Sequence, residues 1–165
     1  LLSKYPSIKF IENPSYHEEN SISSAMRARH LIANAYVCDA DLLIYNPELI
    51  TKYQYQTNYL GVPVERTDDW CLHTKNGIVT KMCLGGTDCY HMFGISYWNE
   101  EDGSRLIQDI EEVYRSPGGK ERYWDQVALE YRSRNYHVTV RPCRFSDIVE
   151  IDTYQELKQI DSSYI

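Results

Sequence analysis

Asp39 and Asp41 are the pair of acids in this chain whose spacing most suggests chemistry. They fall within the stretch Ala35 to Asn46, whose first part is β-rich and apolar enough for a buried strand, and Pro47 then opens a helix. In an open α/β sheet, ligands sit in the crevice beyond the carboxyl ends of the strands, which is where these two acids fall. Side chains two apart share one face of a strand, so both carboxylates can look into one site. Two anions held that close repel unless a cation lies between them, which predicts a bound divalent metal with oxygen ligands, Mg2+ before others. The competing reading is a capping aspartate at a strand-to-helix turn.

The elements that must position these acids can be read from periodicity and turn signals. Leu1 to Tyr5 reads as the tail of a helix, Ser7 to Glu12 as a strand, Asn13-Pro14 as a turn, and Ser21 to Ala33 as a helix capped by Asn20 or Ser21. The start of such a helix offers free backbone N–H groups to an anion. Pro47 to Gln54 reads as a short helix. Strands are expected over Tyr59 to Val64, Trp70 to Thr74, Ile78 to Cys83 and Tyr90 to Tyr97, and Asn76-Gly77 between two of them is the strongest hairpin signal in the chain. Leu106, Ile107, Ile110 and Val113 recur at helical spacing within Glu101 to Tyr114, and a further helix is expected over Arg122 to Arg134. His137 to Val140 and Asp147 to Ile151 read as strands, and Tyr154 to Ile160 as a closing helix. Early β-α-β alternation followed by a hairpin insertion predicts one α/β domain over residues 1–165, with a mixed, mainly parallel sheet flanked by helices.

Composition narrows the function classes. A chain of 165 residues with 42% hydrophobic and 25% charged residues suits a soluble globular protein. A net charge of -7 without any basic run argues against a nucleic-acid partner. Neither a signal peptide nor an apolar run near the roughly 20 residues needed to span a bilayer is evident, so no membrane partner is expected. Five cysteines (Cys38, Cys71, Cys83, Cys89 and Cys143) without a C-x-x-C pair suit a reducing cytoplasm better than a disulfide scaffold or a zinc knuckle, and read as small core residues. The five histidines show no metal-ligand spacing, and no serine or cysteine lies in a nucleophile elbow. Fifteen tyrosines and three tryptophans against three phenylalanines put polar edges on most aromatic bodies, which suits pocket walls and half-buried strands alike.

Several stretches, in order, resemble one family. Glu19-Asn20-Ser21-Ile22-Ser23-Ser24 opens a helix with an Asn-rich segment, and Tyr36 to Asp41 ends a strand in Asp-Ala-Asp. Asp69-Trp70, Gly94-Ile95-Ser96-Tyr97-Trp98, Tyr123-Trp124-Asp125 and the closing Glu150-Ile151-Asp152 follow. Together these resemble the nucleotidyltransferases of the glycosyltransferase-A-like (nucleotide-diphospho-sugar transferase) type, and among them the bacterial CTP:phosphocholine cytidylyltransferases. That family's glycine-rich nucleotide-binding loop, with its arginine and later Pro-Lys, is absent from this chain. The resemblance therefore implies the carboxyl-terminal two-thirds of a longer enzyme, truncated at its N-terminus and inactive as this fragment alone. A short relative that has lost catalysis is the other reading.

What the resemblance implies is transfer of CMP from CTP to phosphocholine, giving CDP-choline and pyrophosphate in choline metabolism of phospholipid or lipopolysaccharide. It implies Mg2+ as cofactor, held by Asp41 and Asp152 as the catalytic acids, although Asp152 also suits an N-cap before Thr153 and Glu156. The expected partners are these small molecules in the cytoplasm, and a homo-dimer is compatible with them. Choline is a quaternary ammonium that donates no hydrogen bond, so aromatic faces and nearby anions must recognise it. Trp70, Trp98, Tyr123 and Trp124 are the candidate cage, with Asp39, Asp69 and Asp125 as the anions, while Trp98 also suits a strand core. Asn20 and Ser24, four apart on a helix start, are candidate nucleotide contacts, and capping accounts for Asn20 as well. The alternatives are the same chemistry on another phospho-alcohol or sugar 1-phosphate, and a non-catalytic choline- or nucleotide-binding module.

Overall fold

The computed structural model describes residues 3–164. Its dominant element is a long hairpin in which β3 (Asn58–Lys75) and β4 (Ile78–Trp98) pair antiparallel around Asn76 and Gly77, both in the left-handed region at φ 53° and 78°. That pair of positive φ values is what a two-residue turn matching strand twist requires, and Asn-Gly accommodates it at little cost. The four strands read separately along this stretch thus join into two, bent by register shifts between Thr67 and Trp70 and again around Cys71 to His73. Such bulges add twist and re-aim side chains.

β1 (Ala35–Cys38) pairs antiparallel with the end of β4, and β5 (Thr139–Pro142) pairs parallel with the start of β3, giving the order β1-β4-β3-β5. The sheet is mixed and open, as expected, but its balance is corrected: among the described residues β3 with β5 is the parallel pair and the other pairings are antiparallel. The reason is the hairpin, whose two-residue turn forces its long arms to run in opposite directions. β2 (Leu42–Ile44) and β6 (Ile148–Glu150) form a separate antiparallel ribbon. β1 is also corrected from a buried strand to a half-exposed edge strand of four residues.

The faces of the sheet follow from alternation along the strands. Tyr59, Leu72 and Trp98 turn toward α1 (Ile22–Ala28) and α2 (Glu100–Arg115), where Ile22, Leu106, Ile110 and Val113 complete one core. Leu60, Val62, Phe93 and Ile95 turn the other way and pack with Leu49, Cys143 and Ile148 under the β2–β6 ribbon. α2 starts where the Asn99 side chain accepts from the Asp102 N–H, with three acids in the first turn facing the positive end of the helix dipole. α3 (Tyr154–Ile160) has no buried residue and is held at its start by a capping box between Thr153 and Glu156.

Other expectations are modified. Residues 7–12 are irregular and largely exposed rather than a strand, having no neighbouring strand among the described residues to satisfy their backbone groups. The expected helix tail over Leu1 to Tyr5 lies partly outside the described residues, and residues 3 and 4 lie in a turn. Pro47–Leu49 is a single 3-10 turn capped by the Asn46 side chain, and the expected helix over Arg122 to Arg134 shortens to one wide turn at Val127–Tyr131 followed by a 3-10 turn. No described helix is long and apolar enough to cross a membrane.

Candidate active site

The acids of the two separated motifs meet through the small ribbon. Leu42 of β2 stands opposite Glu150 of β6, and the Ile151 N–H donates to the Asp41 carbonyl at 3.0 Å. This pairing brings carboxylate oxygens of Asp41, Glu150 and Asp152 within 4.8 Å of one another. Glu156 fixes the approach of Asp152, its Oε2 accepting from the Asp152 and Thr153 N–H groups at 2.9 and 2.8 Å. Asp152 therefore lies just outside the capping box, and Thr153 is the cap.

Beside this cluster lies a hollow of about 250 Å3 whose lining includes Asp39, Asp69, Trp70, Tyr123, Asp125 and Glu150, with Met82, Met92, Gly94 and Asp152 completing it. Asp39 follows β1 and donates its N–H to the Gly94 carbonyl at 2.8 Å, so its side chain lies across Gly94. A Cβ on Gly94 would stand 1.7 Å from Asp39 Oδ2, which explains why the β4 residue beneath this acid has no side chain. The bulge after Thr67 turns Trp70 inward, and its ring meets Tyr123 edge-on, with centroids 5.5 Å apart at 65°. Asp125 forms the floor, its Oδ1 accepting from the buried Tyr59 hydroxyl at 2.7 Å.

The electrostatics of this hollow are those of crowded anions. Burial pushes the Asp125 carboxyl up to about 7; the Tyr59 hydrogen bond opposes the rise, and the charge on Asp39 adds to it. Glu150 is also pushed up to about 7, by burial first and then by the charges of Asp152, Asp41, Asp69 and Asp39. Asp39 rises through burial and the charge on Asp41. Acids whose ionisation is opposed by burial first and by neighbouring acids second are stabilised in their charged form by any cation that enters.

The placements separate the expected residues. Asp39, Trp70, Tyr123, Asp125 and Asp152 line one hollow, and Asp41 joins Asp152 in the adjoining cluster. Trp98 is corrected: it is fully buried, its indole N–H donating to Ser96 Oγ, with its ring packed on Tyr59, Trp124 and Tyr136. Trp124 is likewise buried and points opposite to its neighbour Tyr123, so it does not line the acidic hollow. Ser24 borders a second hollow of about 550 Å3 with Val37, Asp39 and Trp124. Asn20 does not reach that hollow: its Oδ1 accepts from the Ser21 N–H and its Nδ2 donates to the Glu121 carbonyl.

Glu150 is the residue that motif reading left without a role. Its signal is the alternation Glu150-Ile151-Asp152, the same spacing of acids as Asp39 and Asp41. The donor set of Asp41, Glu150 and Asp152 is all carboxylate oxygen, which fits a hard divalent cation such as Mg2+. Among the cysteines, Cys71, Cys89 and Cys143 are buried as expected, while Cys38 is exposed and Cys83 half-exposed.

The open mixed sheet is similar in fold to solved structures of two nucleotide-transferring enzymes. A structure of CTP:phosphocholine cytidylyltransferase from Streptococcus pneumoniae superposes with a TM-score of 0.84 at 22% identity, over 99% of this chain and 72% of that one. A putative glucose-1-phosphate thymidylyltransferase from Bacillus anthracis matches with a TM-score of 0.60 at 14% identity, over 89% and 62% of the two chains. In sequence, the chain is similar to 2-aminoethylphosphonate cytidylyltransferase of Lancefieldella rimae, 28% identical over 100% of this chain and 68% of that protein. It is also similar to choline-phosphate cytidylyltransferase of Haemophilus influenzae, 25% identical over 96% of this chain and 69% of that protein. No family model matches the chain. The protein thus resembles cytidylyltransferases over its whole length while spanning 68% to 69% of these relatives.

Proposed function

We propose that this protein transfers CMP from CTP to a small acceptor that carries a phosphate or phosphonate at one end and a cationic amine at the other. The observation behind this reading is the hollow itself: two ring faces, Trp70 and Tyr123, set among Asp39, Asp69, Asp125, Glu150 and Asp152. Such a hollow suits an organic cation, with ring faces for its methylene or methyl surface and carboxylates for its charge. Phosphocholine is the first acceptor, since a quaternary head needs ring faces. 2-Aminoethylphosphonate is the second: with Trp98 and Trp124 in the core, carboxylates outnumber rings, which suits an ammonium able to donate hydrogen bonds.

In this reading an acceptor oxygen attacks the α-phosphorus of CTP. A new P–O bond forms, the bond to the β-phosphate oxygen breaks, and pyrophosphate leaves with that electron pair. Asp41, Glu150 and Asp152 would hold Mg2+, which when bound offsets the charge on the phosphate oxygens. The remaining contribution of these residues is placement: the hollow holds the amine so that the other end of the acceptor is presented to the nucleotide. Ser24 and Asp39 border the second hollow, where the nucleotide is proposed to lie.

The test is pyrophosphate release by the full-length protein with CTP, Mg2+ and each acceptor in turn. Asp41→Asn and Asp152→Asn should each lower turnover by roughly 100-fold or more, the scale for losing a group that stabilises developing charge. Unchanged turnover in both variants would overturn the proposed roles. Binding of CTP and the amine without pyrophosphate release would favour a non-catalytic module.

A further inference from the structure

We propose that the β3–β4 hairpin carries a second metal site, distinct from the carboxylate cluster, in which Cys71, His73, Cys83 and Cys89 bind one Zn2+. In sequence these residues run Cys-x-His, then nine residues, then Cys, five residues and Cys, a spacing that resembles no short knuckle. The hairpin register gathers them. Cys71 and Cys83 are direct cross-strand partners, and His73, two residues after Cys71 with the pairing running one-for-one to Lys81, shares its face of β3. Donor atoms of Cys71, His73 and Cys83 lie within 4.8 Å of one another.

Cys89 stands outside that trio, and Gly86 marks where it approaches the other ligands. A Cβ there would lie 2.7 Å from Cys71 Sγ, 3.1 Å from His73 Nε2 and 3.2 Å from Cys89 Sγ, so one point sits among three candidate ligands and only glycine leaves it free. The Sγ atoms of Cys71 and Cys83 are 3.8 Å apart. A tetrahedron with metal–sulfur bonds of about 2.3 Å has an edge of about 3.8 Å, so this pair already stands at the separation zinc imposes. Soft thiolates with one imidazole select zinc over Mg2+, and a set of four protein ligands is that of a structural site. Binding would form three Zn–S bonds and one Zn–N bond and release the thiol protons to solvent.

The consequence for the rest of the molecule is local. Trp70 precedes Cys71 and Met82 precedes Cys83, and both line the acidic hollow. Zinc would therefore pin the wall of that hollow from behind without touching the acceptor.

Zinc content of the protein purified under reducing conditions, measured by inductively coupled plasma mass spectrometry, should be one ion per chain and should persist in excess Mg2+. Replacement by Co2+ should give the visible and charge-transfer bands of tetrahedral thiolate coordination. Since loss even of a residue supporting a ligand weakens metal binding roughly 10- to 100-fold, His73→Ala and Cys83→Ser should weaken Zn2+ at least that far. Both positions are less buried than Cys71, whose substitution risks the fold. Cys38→Ser, Cys143→Ser and Asp152→Asn should leave zinc binding unchanged, and a chelator should lower the melting temperature of the wild type but not of His73→Ala. Less than stoichiometric zinc after reconstitution, unchanged affinity in both His73→Ala and Cys83→Ser, or a Cys71–Cys83 disulfide that persists in reductant would each overturn the site.

Discussion

Asp125→Asn should stabilise the protein while impairing it. The wild-type carboxyl moves from an ordinary 3.8 to about 7 because folding buries it. Between those pH values the unfolded chain has given up the proton and the folded chain has kept it, so wild-type stability falls as pH rises through this window and the loss is complete above about 7. At about 1.4 kcal/mol for each tenfold change in ionisation, the shift amounts to on the order of 4 kcal/mol, which water at the half-buried carboxyl trims to about 2–3 kcal/mol. Asparagine keeps an oxygen for the Tyr59 hydroxyl and removes the titration. Urea melts of both proteins from pH 4 to pH 8 should therefore coincide near the acid end and diverge toward pH 8, the variant becoming the more stable by about 2–3 kcal/mol. The same variant should bind the cationic acceptor more weakly, because an anion facing it is gone. A stability difference that stays flat across pH, or a variant less stable at pH 8 than at pH 4 relative to wild type, would refute the reasoning.

Trp70→Ala should remove one ring face worth about 0.5–2 kcal/mol, raising KM for a quaternary-ammonium acceptor roughly 2- to 30-fold with kcat little changed in steady-state assays. Trp98→Ala should instead cost about 3–5 kcal/mol in denaturant melts, since Trp98 is fully buried and packs on three other rings. A KM effect for Trp98→Ala in protein of wild-type stability would contradict its placement. Gly94→Ala should displace Asp39, because its Cβ would fall 1.7 Å from Oδ2, and turnover should fall more than the melting temperature. Acceptor affinity measured by calorimetry should rise with pH through about 7, where Asp125 ionises, since the cation favours its charged form.

The sequence was most legible where a local rule acts alone. Asn76-Gly77 marked its hairpin turn, and the apolar spacing of Leu106 to Val113 marked α2, because turn chemistry and helical periodicity are decided by neighbours. The convergence of Asp41 with Asp152 was reachable only through resemblance, since the β2–β6 pairing that joins them spans most of the chain. Sheet direction is hidden for the same reason: strand count says little about which strand lies beside which. Among the aromatics, Trp70 and Trp98 look alike in sequence, and what separates them is a bulge that faces one toward the hollow while the other enters the core. The role of Glu150 is not legible, because an acid in a short strand gives no sign of what stands across from it.

The long hairpin also bears on how the molecule comes to fold. Its arms close on a two-residue turn, so their pairing spans short loops and costs little chain entropy, whereas β5 must cross over through α2 before it can lie beside β3. Loop closure therefore favours the hairpin as the first of these pairings to form. Asp69, Trp70, Met82, Met92 and Gly94, half of the residues bordering the acidic hollow, belong to it. Much of that hollow's wall would take shape early in folding, ahead of the carboxylates that β6 and the segment after it deliver last.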